Sequence, residues 1–305
     1  MHVAYAPKFL LSRGPDGGAA DLTDNEKMVI LKKITLESKK ERYYMNLYEA
    51  IFLRQSVRQF SMTPVAPELL QRIGTFYEQI RPLFPGISTE IGITENVDGK
   101  HRLQGLFGIR APYYLTIYSE ERDRAEMNAG YICGQLSLYM VTLGLGSCYI
   151  GVSWQRDMPL ARGSMKLIMT MAFGLPKGPL MRRANEARRL PVRELCVYKD
   201  EPVRWMTQVI EAARLAPSYK NSQPWRFVVV GRRIHIFSKK DGMDKPRKWV
   251  EFSFGVMFSH IAVASEELWL EVDLIRLENV SQKNFKNNQY VLSAIVREQT
   301  EGAFK

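Results

Sequence analysis

Apolar residues return at helical spacing in several stretches, separated by short runs that read as strands. Leu69, Leu70, Ile73, Phe76, Tyr77 and Ile80 form one face of a helix that Pro67 opens and Pro82 and Pro85 end. Leu47, Ala50, Ile51 and Val57 predict a shorter helix before it. Met206, Val209, Ile210 and Ala213 predict an amphipathic helix over 203–216, stopped by Pro217. Two longer stretches, 125–143 and 249–269, read as buried helices. Strands are expected at 113–118, 147–153, 167–173, 271–277 and 290–297. A hairpin over 226–230 and 234–237 turns at Gly231-Arg232-Arg233.

Helix, strand, long buried helix, strand, strand therefore occurs twice, which suggests an internal duplication. The expected organisation is an N-terminal extension at 1–44, a first half at 45–190 and a second half at 191–305. Residues 1–24 read as a flexible arm and the mixed-charge run 26–42 as an exposed helix. The expected class is α+β. Two pseudo-symmetric halves each carry a β-sheet flanked by helices, and the long helices bury each other at the centre of one composite unit.

Composition narrows the classes. The chain has 305 residues, 46% apolar and 25% charged, which argues against disorder and coiled coil. Cys133, Cys148 and Cys196 form no C-x-x-C pair, and the four histidines give no H-E-x-x-H helix, so no metal site is expected. No signal peptide is visible, and a reduced, cytoplasmic protein is expected. The uncharged stretch 130–155 is long enough to span a bilayer, but Gly144, Gly146 and Gly151 interrupt it. A buried helix, glycine turn and strand suit it better, so no membrane contact is expected.

Charge changes the picture more. The net charge is +11, and residues 176–250, with 18 Lys/Arg and 7 Asp/Glu, hold all of it. Such a segment can bind nucleic acid or a smaller phosphate. It has no helix-turn-helix, RNP or zinc-finger pattern. A phosphate-bearing cofactor is the simpler reading, and no nucleic-acid partner is expected.

Four motifs could hold one. In Arg54-x-Ser56-x-Arg58, extended backbone points the three side chains the same way, and two guanidiniums with a hydroxyl suit a phosphate or an anionic ring edge. Alone, the same triplet reads as a solvated basic strand end. From Ala216 to Phe227, two prolines flank a polar loop whose Ser218, Asn221 and Gln223 can each donate and accept, with Trp225 as a core anchor. It could equally be a helix-to-strand connector. The run Leu143–Gly151 has glycines that allow close backbone approach, but it is no dinucleotide fingerprint, because it follows a helix instead of opening one. Arg188-Arg189-Leu190-Pro191 is a basic pair between the halves.

Together these motifs resemble the FMN-dependent nitroreductase family. Arg54–Phe60 looks like that family's R-x-S-x-[RK]-x-F, Ala216–Phe227 its A-P-S-x-x-N-x-Q-P-W-x-F loop and Leu143–Gly151 its L-G-L-G-S-C-x-I-G turn. Met171–Pro176 resembles the following strand and turn, and Arg189-Leu190-Pro191 a basic phosphate contact. The order departs from the usual one. The first half lacks the N-x-Q-P-W loop, and the second lacks R-x-S-x-R. The chain is therefore similar to the fused branch in which one polypeptide supplies both halves, a monomer acting as a pseudo-dimer with one FMN.

The resemblance implies that Arg54, Ser56 and Arg58 hold phosphate, ribityl chain and ring edge, with Gln55 beside them. Arg188 and Arg189 would add phosphate contacts. Pro217, Ser218, Tyr219 and Asn221 would approach from the second half, and Tyr149, Ile150 and Gly151 would offer contacts to the ring. Ala187 stands where a further basic residue is common. It also implies ping-pong hydride transfer from NAD(P)H through flavin to an electron-poor small molecule such as a nitroaromatic or quinone, with no catalytic side chain. A flavin-storing or flavin-sensing protein without turnover is the alternative.

Overall fold

The computed structural model describes residues 45–100, 108–151, 159–240, 246–283 and 285–297. All of them lie in one compact unit, Met45–Lys305. The expectations for residues 1–44, and the end of the strand expected at 147–153, fall outside the described residues.

The described helices are α1 (Leu47–Leu53), α2 (Pro67–Gln79), α3 (Ala125–Thr142), α4 (Val192–Leu195), α5 (Arg204–Arg214), α6 (Arg247–Glu267) and α7 (Glu278–Ser281). One sheet contains β1 (Thr89–Glu95), β2 (Tyr113–Glu120), β3 (Gly146–Gly151), β4 (Ala161–Arg162) and β5 (Met165–Gly174). Its order is β1-β2-β5-β3, with β4 also on β5, and every pairing is antiparallel. The other contains β6 (Cys196–Tyr198), β7 (Trp225–Val230), β8 (Arg233–Lys239), β9 (Val272–Ile275) and β10 (Asn288–Val296). Its order is β6-β7-β8-β10-β9, and only β6 and β7 run parallel.

The long apolar helices α3 and α6 pack along one another, α3 also covering the first sheet. Three glycines set their separation. A Cβ on Gly130 would lie 2.1 Å from the Phe252 carbonyl oxygen, and one on Gly255 2.0 Å from that of Met127. One on Gly134 would lie 2.0 Å from Ser259 Oγ. The two backbones therefore touch where any larger residue would hold them apart. Among the described residues, no helix is long and apolar enough to cross a membrane.

Three local differences from the sequence reading have physical causes. Val57 does not extend α1. Asn46 and Glu49 close a capping box at the helix start, and Arg54 leaves it with φ −58° and ψ 134°. Residues 54–60 continue as extended chain, bridged at Arg54 to Met181, at Ser56 to Ser147 and at Phe60 to Pro176. Strand β1 was not expected; its Thr-Glu-Ile-Gly-Ile-Thr-Glu sequence carries a central glycine and lies half-buried along its length. The short β6, α4 and α7 were not expected either, being too brief for a periodic signal.

Candidate active site

The extended segment after α1 carries Arg54 into the interior. Only 5% of its surface is exposed, and its Nε and Nη2 have no hydrogen-bond partner. Its guanidinium carbon stands 5.6 Å from the centroid of the Tyr149 ring. Tyr149 is fixed from two sides. Its hydroxyl donates to the Cys133 carbonyl at 3.0 Å and meets Ser137 Oγ at 3.0 Å, both on α3. Its ring packs edge-on to Phe252 of α6 at 5.4 Å. Burial raises the Tyr149 phenol well above its ordinary range.

Three more arginines share the field of Arg54. Arg182 donates to the Phe52 carbonyl at 2.7 Å and the Ile51 carbonyl at 3.5 Å, capping the end of α1. Arg189 caps the end of α5, from Nε to the Ala216 carbonyl at 3.1 Å and from Nη2 to that of Leu215 at 3.3 Å. Its Nη1 donates to the Arg188 carbonyl at 3.1 Å and to Asn221 Oδ1 at 2.9 Å. Of five N–H groups, only one on Nη2 is left. Burial lowers both Arg182 and Arg189 to about 10, and repulsion from Arg54 and Arg214 adds to it. Both therefore remain cationic at neutral pH. Among the described residues, Arg214 is the one member of the cluster with a carboxylate at ion-pair distance, its Nε donating to Glu211 Oε2 at 2.7 Å. The cluster keeps an excess of positive charge around a buried, unpaired guanidinium, an arrangement that attracts an anion.

The proline-flanked loop closes on this cluster. Asn221 Nδ2 donates to the Arg188 carbonyl at 2.9 Å. Gln223 accepts from the Leu190 N–H at 2.7 Å, and its own N–H donates to Ser218 Oγ at 2.9 Å. Lys220, Asn221 and Gln223 all hold positive φ, at 50°, 54° and 44°. Non-glycine residues there carry strain, which the fixed hydrogen bonds maintain. Trp225 is fully buried, edge-on to Phe254. The Tyr219 N–H donates to Ser253 Oγ at 3.0 Å, and that hydroxyl donates to the Trp249 carbonyl at 2.7 Å. The Tyr219 ring stacks on Trp249 at 5.9 Å with 17° between planes.

Trp249 also reaches β3. A Cβ on Gly151 would lie 3.5 Å from its ring, and Gly151 holds φ 99°. Opposite β5, Tyr149 pairs with Met171 and Gly151 with Thr170, so Ile150 is bulged out of the ladder. Its backbone is thereby released from regular pairing.

The structure thus brings Tyr149, Gly151 and Tyr219 against Trp249, Phe252 and Ser253 in the first two turns of α6, with Arg54 over the Tyr149 ring and Arg188 and Arg189 joined to the same loop through Asn221. Ser56 lies on the same extended segment, bridged to Ser147. Gln55 turns away, its Nε2 donating to the Pro179 carbonyl at 2.6 Å. Arg58 stays exposed. Half-buried Pro217 opens the loop, and the Ser218 hydroxyl is engaged within it. Trp249, Arg182 and Arg214 were not singled out from the sequence. Arg182 is a further cation in the field of Arg54 and Arg189.

Comparison with known proteins gives the family. The family model described as "Putative TM nitroreductase" matches residues 46–265. Among solved structures, one from Thermotoga maritima described as "a putative nitroreductase" has 20% identity and a TM-score of 0.58, covering 85% of this chain and 98% of that one. A nitroreductase family protein from Clostridium difficile has 14% identity and a TM-score of 0.42, over 52% of this chain and all of the other. An FMN-dependent nitroreductase, also from Clostridium difficile, has 17% identity and a TM-score of 0.39, over 50% and 98%. No curated protein matches. The matched span and the shared fold agree that this chain belongs to the nitroreductase family.

Proposed function

We propose that the protein is an FMN-dependent oxidoreductase, with one flavin per chain held between a first half at 45–190 and a second half at 191–305. The observation that carries this reading is the orphaned guanidinium of Arg54, buried beside Arg182, Arg189 and Arg214. A phosphate dianion suits that position, because each charge-assisted bond to it contributes about 1.5–3 kcal/mol and relieves the mutual repulsion of the arginines.

In this reading Arg54, Ser56, Arg58 and the remaining N–H of Arg189 hold the phosphate, ribityl chain and ring edge. Gln55 and Arg188 stand behind them. Ile150 and Gly151 offer released backbone to the ring. Tyr149 is a rigid platform under Arg54. Pro217, Ser218, Tyr219 and Asn221 wall the site from the second half, and the Tyr219–Trp249 stack excludes water from one side. When bound, FMN supplies a two-electron centre that NAD(P)H and an electron-poor acceptor, a nitroaromatic or a quinone, visit in turn. The chain's own part is position and electrostatics. The monomer acts as its own pseudo-dimer, and its three buried free cysteines suit a reducing cytoplasm.

The test is the flavin content of purified protein after reconstitution, followed by anaerobic NADH or NADPH. One flavin per chain, bleached by the reductant, is expected. Two per chain would overturn the single composite site. Binding without bleaching would make the protein a flavin store or sensor.

A further inference from the structure

We propose that the outer face of the second sheet carries a separate site for an amphipathic carboxylate, its apolar body lying on β7 and β8 and its carboxylate held at a basic rim. A cavity of about 630 Å³ opens there, within the usual range for small-molecule sites. Side chains alternate along β7. Trp225, Phe227 and Val229 are buried toward the core, while Val228 and Val230 face outward and floor the cavity. Phe237 and Phe285 meet edge-to-face at 4.8 Å and close one end. Val197 and Val230 leave 52% and 42% of their surface exposed, so the apolar floor is open to a ligand.

The rim is cationic. Arg193, Lys199, Arg226, Arg233 and Lys283 line the cavity, against Glu194 as its carboxylate. Arg233 and Lys283 stand beside His235, whose Nδ1 lies 2.7 Å from Ser293 Oγ; burial, and after it the field of both cations, lowers the pKa of that imidazole. That end suits the carboxylate head, and the valine row suits the body. No lining residue belongs to the Arg54 cluster. The site also accounts for positive charge in 176–250 that the cluster leaves unused: Arg182, Arg189 and Arg214 serve the cluster, whereas Arg193, Lys199, Arg226 and Arg233 ring this cavity. A concave, valine-floored surface fits an apolar body better than a nucleic-acid backbone, which needs an open track of cations.

The probe is decanoate, below its micelle concentration, titrated calorimetrically into the full chain, with decanol as the uncharged comparator. One site per chain is expected, with decanol weaker by at least about tenfold, the loss of one charge-assisted contact. Arg233→Glu and Lys283→Glu should each weaken decanoate by a similar factor, and Val228→Trp should abolish binding by filling the floor, while the far-ultraviolet dichroism of each stays that of the parent. If a variant fails to fold, the decanoate–decanol pair on the parent still decides. No saturable decanoate heat, or equal binding of decanol, would overturn the proposal. A single-stranded oligonucleotide that displaces decanoate and loses affinity in both charge variants would reassign the face to nucleic acid.

Discussion

Arg54 stands over the ring of Tyr149, 5.6 Å from guanidinium carbon to ring centroid, yet its Nε and Nη2 remain without hydrogen bonds. A cation–π contact contributes about 0.5–2 kcal/mol and does not replace the bonds that a buried guanidinium gives up on leaving water. That deficit is the ground for proposing Arg54 as a phosphate contact.

Arg54→Ala should therefore separate stability from binding. Removing a buried, unpaired charge should leave the flavin-free melting temperature unchanged or higher. FMN affinity should fall by about 10- to 100-fold, the loss of one strong phosphate contact. A fluorescence titration with FMN, beside a melting curve without it, reads both. A large drop in the flavin-free melting temperature would show that Arg54 is structural instead.

His260 predicts an acid-labile fold. It is buried in α6, donating from Nδ1 to the Ala212 carbonyl at 3.0 Å, with Nε2 unpartnered. Burial lowers its pKa to about 3, and the fields of Arg54, Arg189 and Arg182 add to this. The unfolded chain thus binds a proton that the folded chain refuses between about pH 6.5 and 3. The contribution is fully favourable above that window and is lost as pH falls through it. Urea unfolding should show this residue costing about 2 kcal/mol between pH 7 and pH 5. His260→Gln should flatten that part of the slope.

Gly130→Ala tests the helix crossing. The added methyl meets the Phe252 carbonyl at 2.1 Å, a backbone atom that no rotamer change can move. Overpacking of about 1–3 kcal/mol should outweigh the roughly 1 kcal/mol that alanine gains over glycine in a helix. A lowered denaturation midpoint is expected, whereas an unchanged or raised one would mean that α3 and α6 can separate freely.

Trp249→Ala should loosen the loop without emptying the phosphate site. It removes the ring on which Tyr219 stacks, a pair that contributes about 0.5–1.5 kcal/mol. The Ser253 relay to the Tyr219 N–H remains. Flavin should still bind, with a higher KM for the nicotinamide or the acceptor, measurable in steady-state assays. Complete loss of flavin would give Trp249 a larger part than proposed.

The long helices were legible because apolar patterning persists for many residues: the expected 125–143 and 249–269 became Ala125–Thr142 and Arg247–Glu267. The hairpin was legible from its glycine turn, and the Pro67 helix from its opening proline. Val57 misled because its spacing fits a helix face, while bridges to Ser147 and Met181 pull that segment into extended chain. Arg54, Tyr149, Arg189 and Asn221 were legible as motif members. That Arg189 caps α5, or that Arg182 joins Arg54, depends on where two helices end in space, and no local spacing records it. Trp249 read as one more apolar residue at a helix start. Its role comes from Gly151 and Tyr219, which only the fold brings to it.

The glycine seam between α3 and α6 has a consequence for how the protein behaves on dilution. Where two separate chains meet along such a seam, the contact obeys mass action and comes apart as concentration falls. Here Gly130, Gly134 and Gly255 belong to one polypeptide, so the partner helix is always present at a fixed effective concentration. The surfaces around Arg54 and Tyr219 should stay assembled in a single isolated molecule, however dilute the solution.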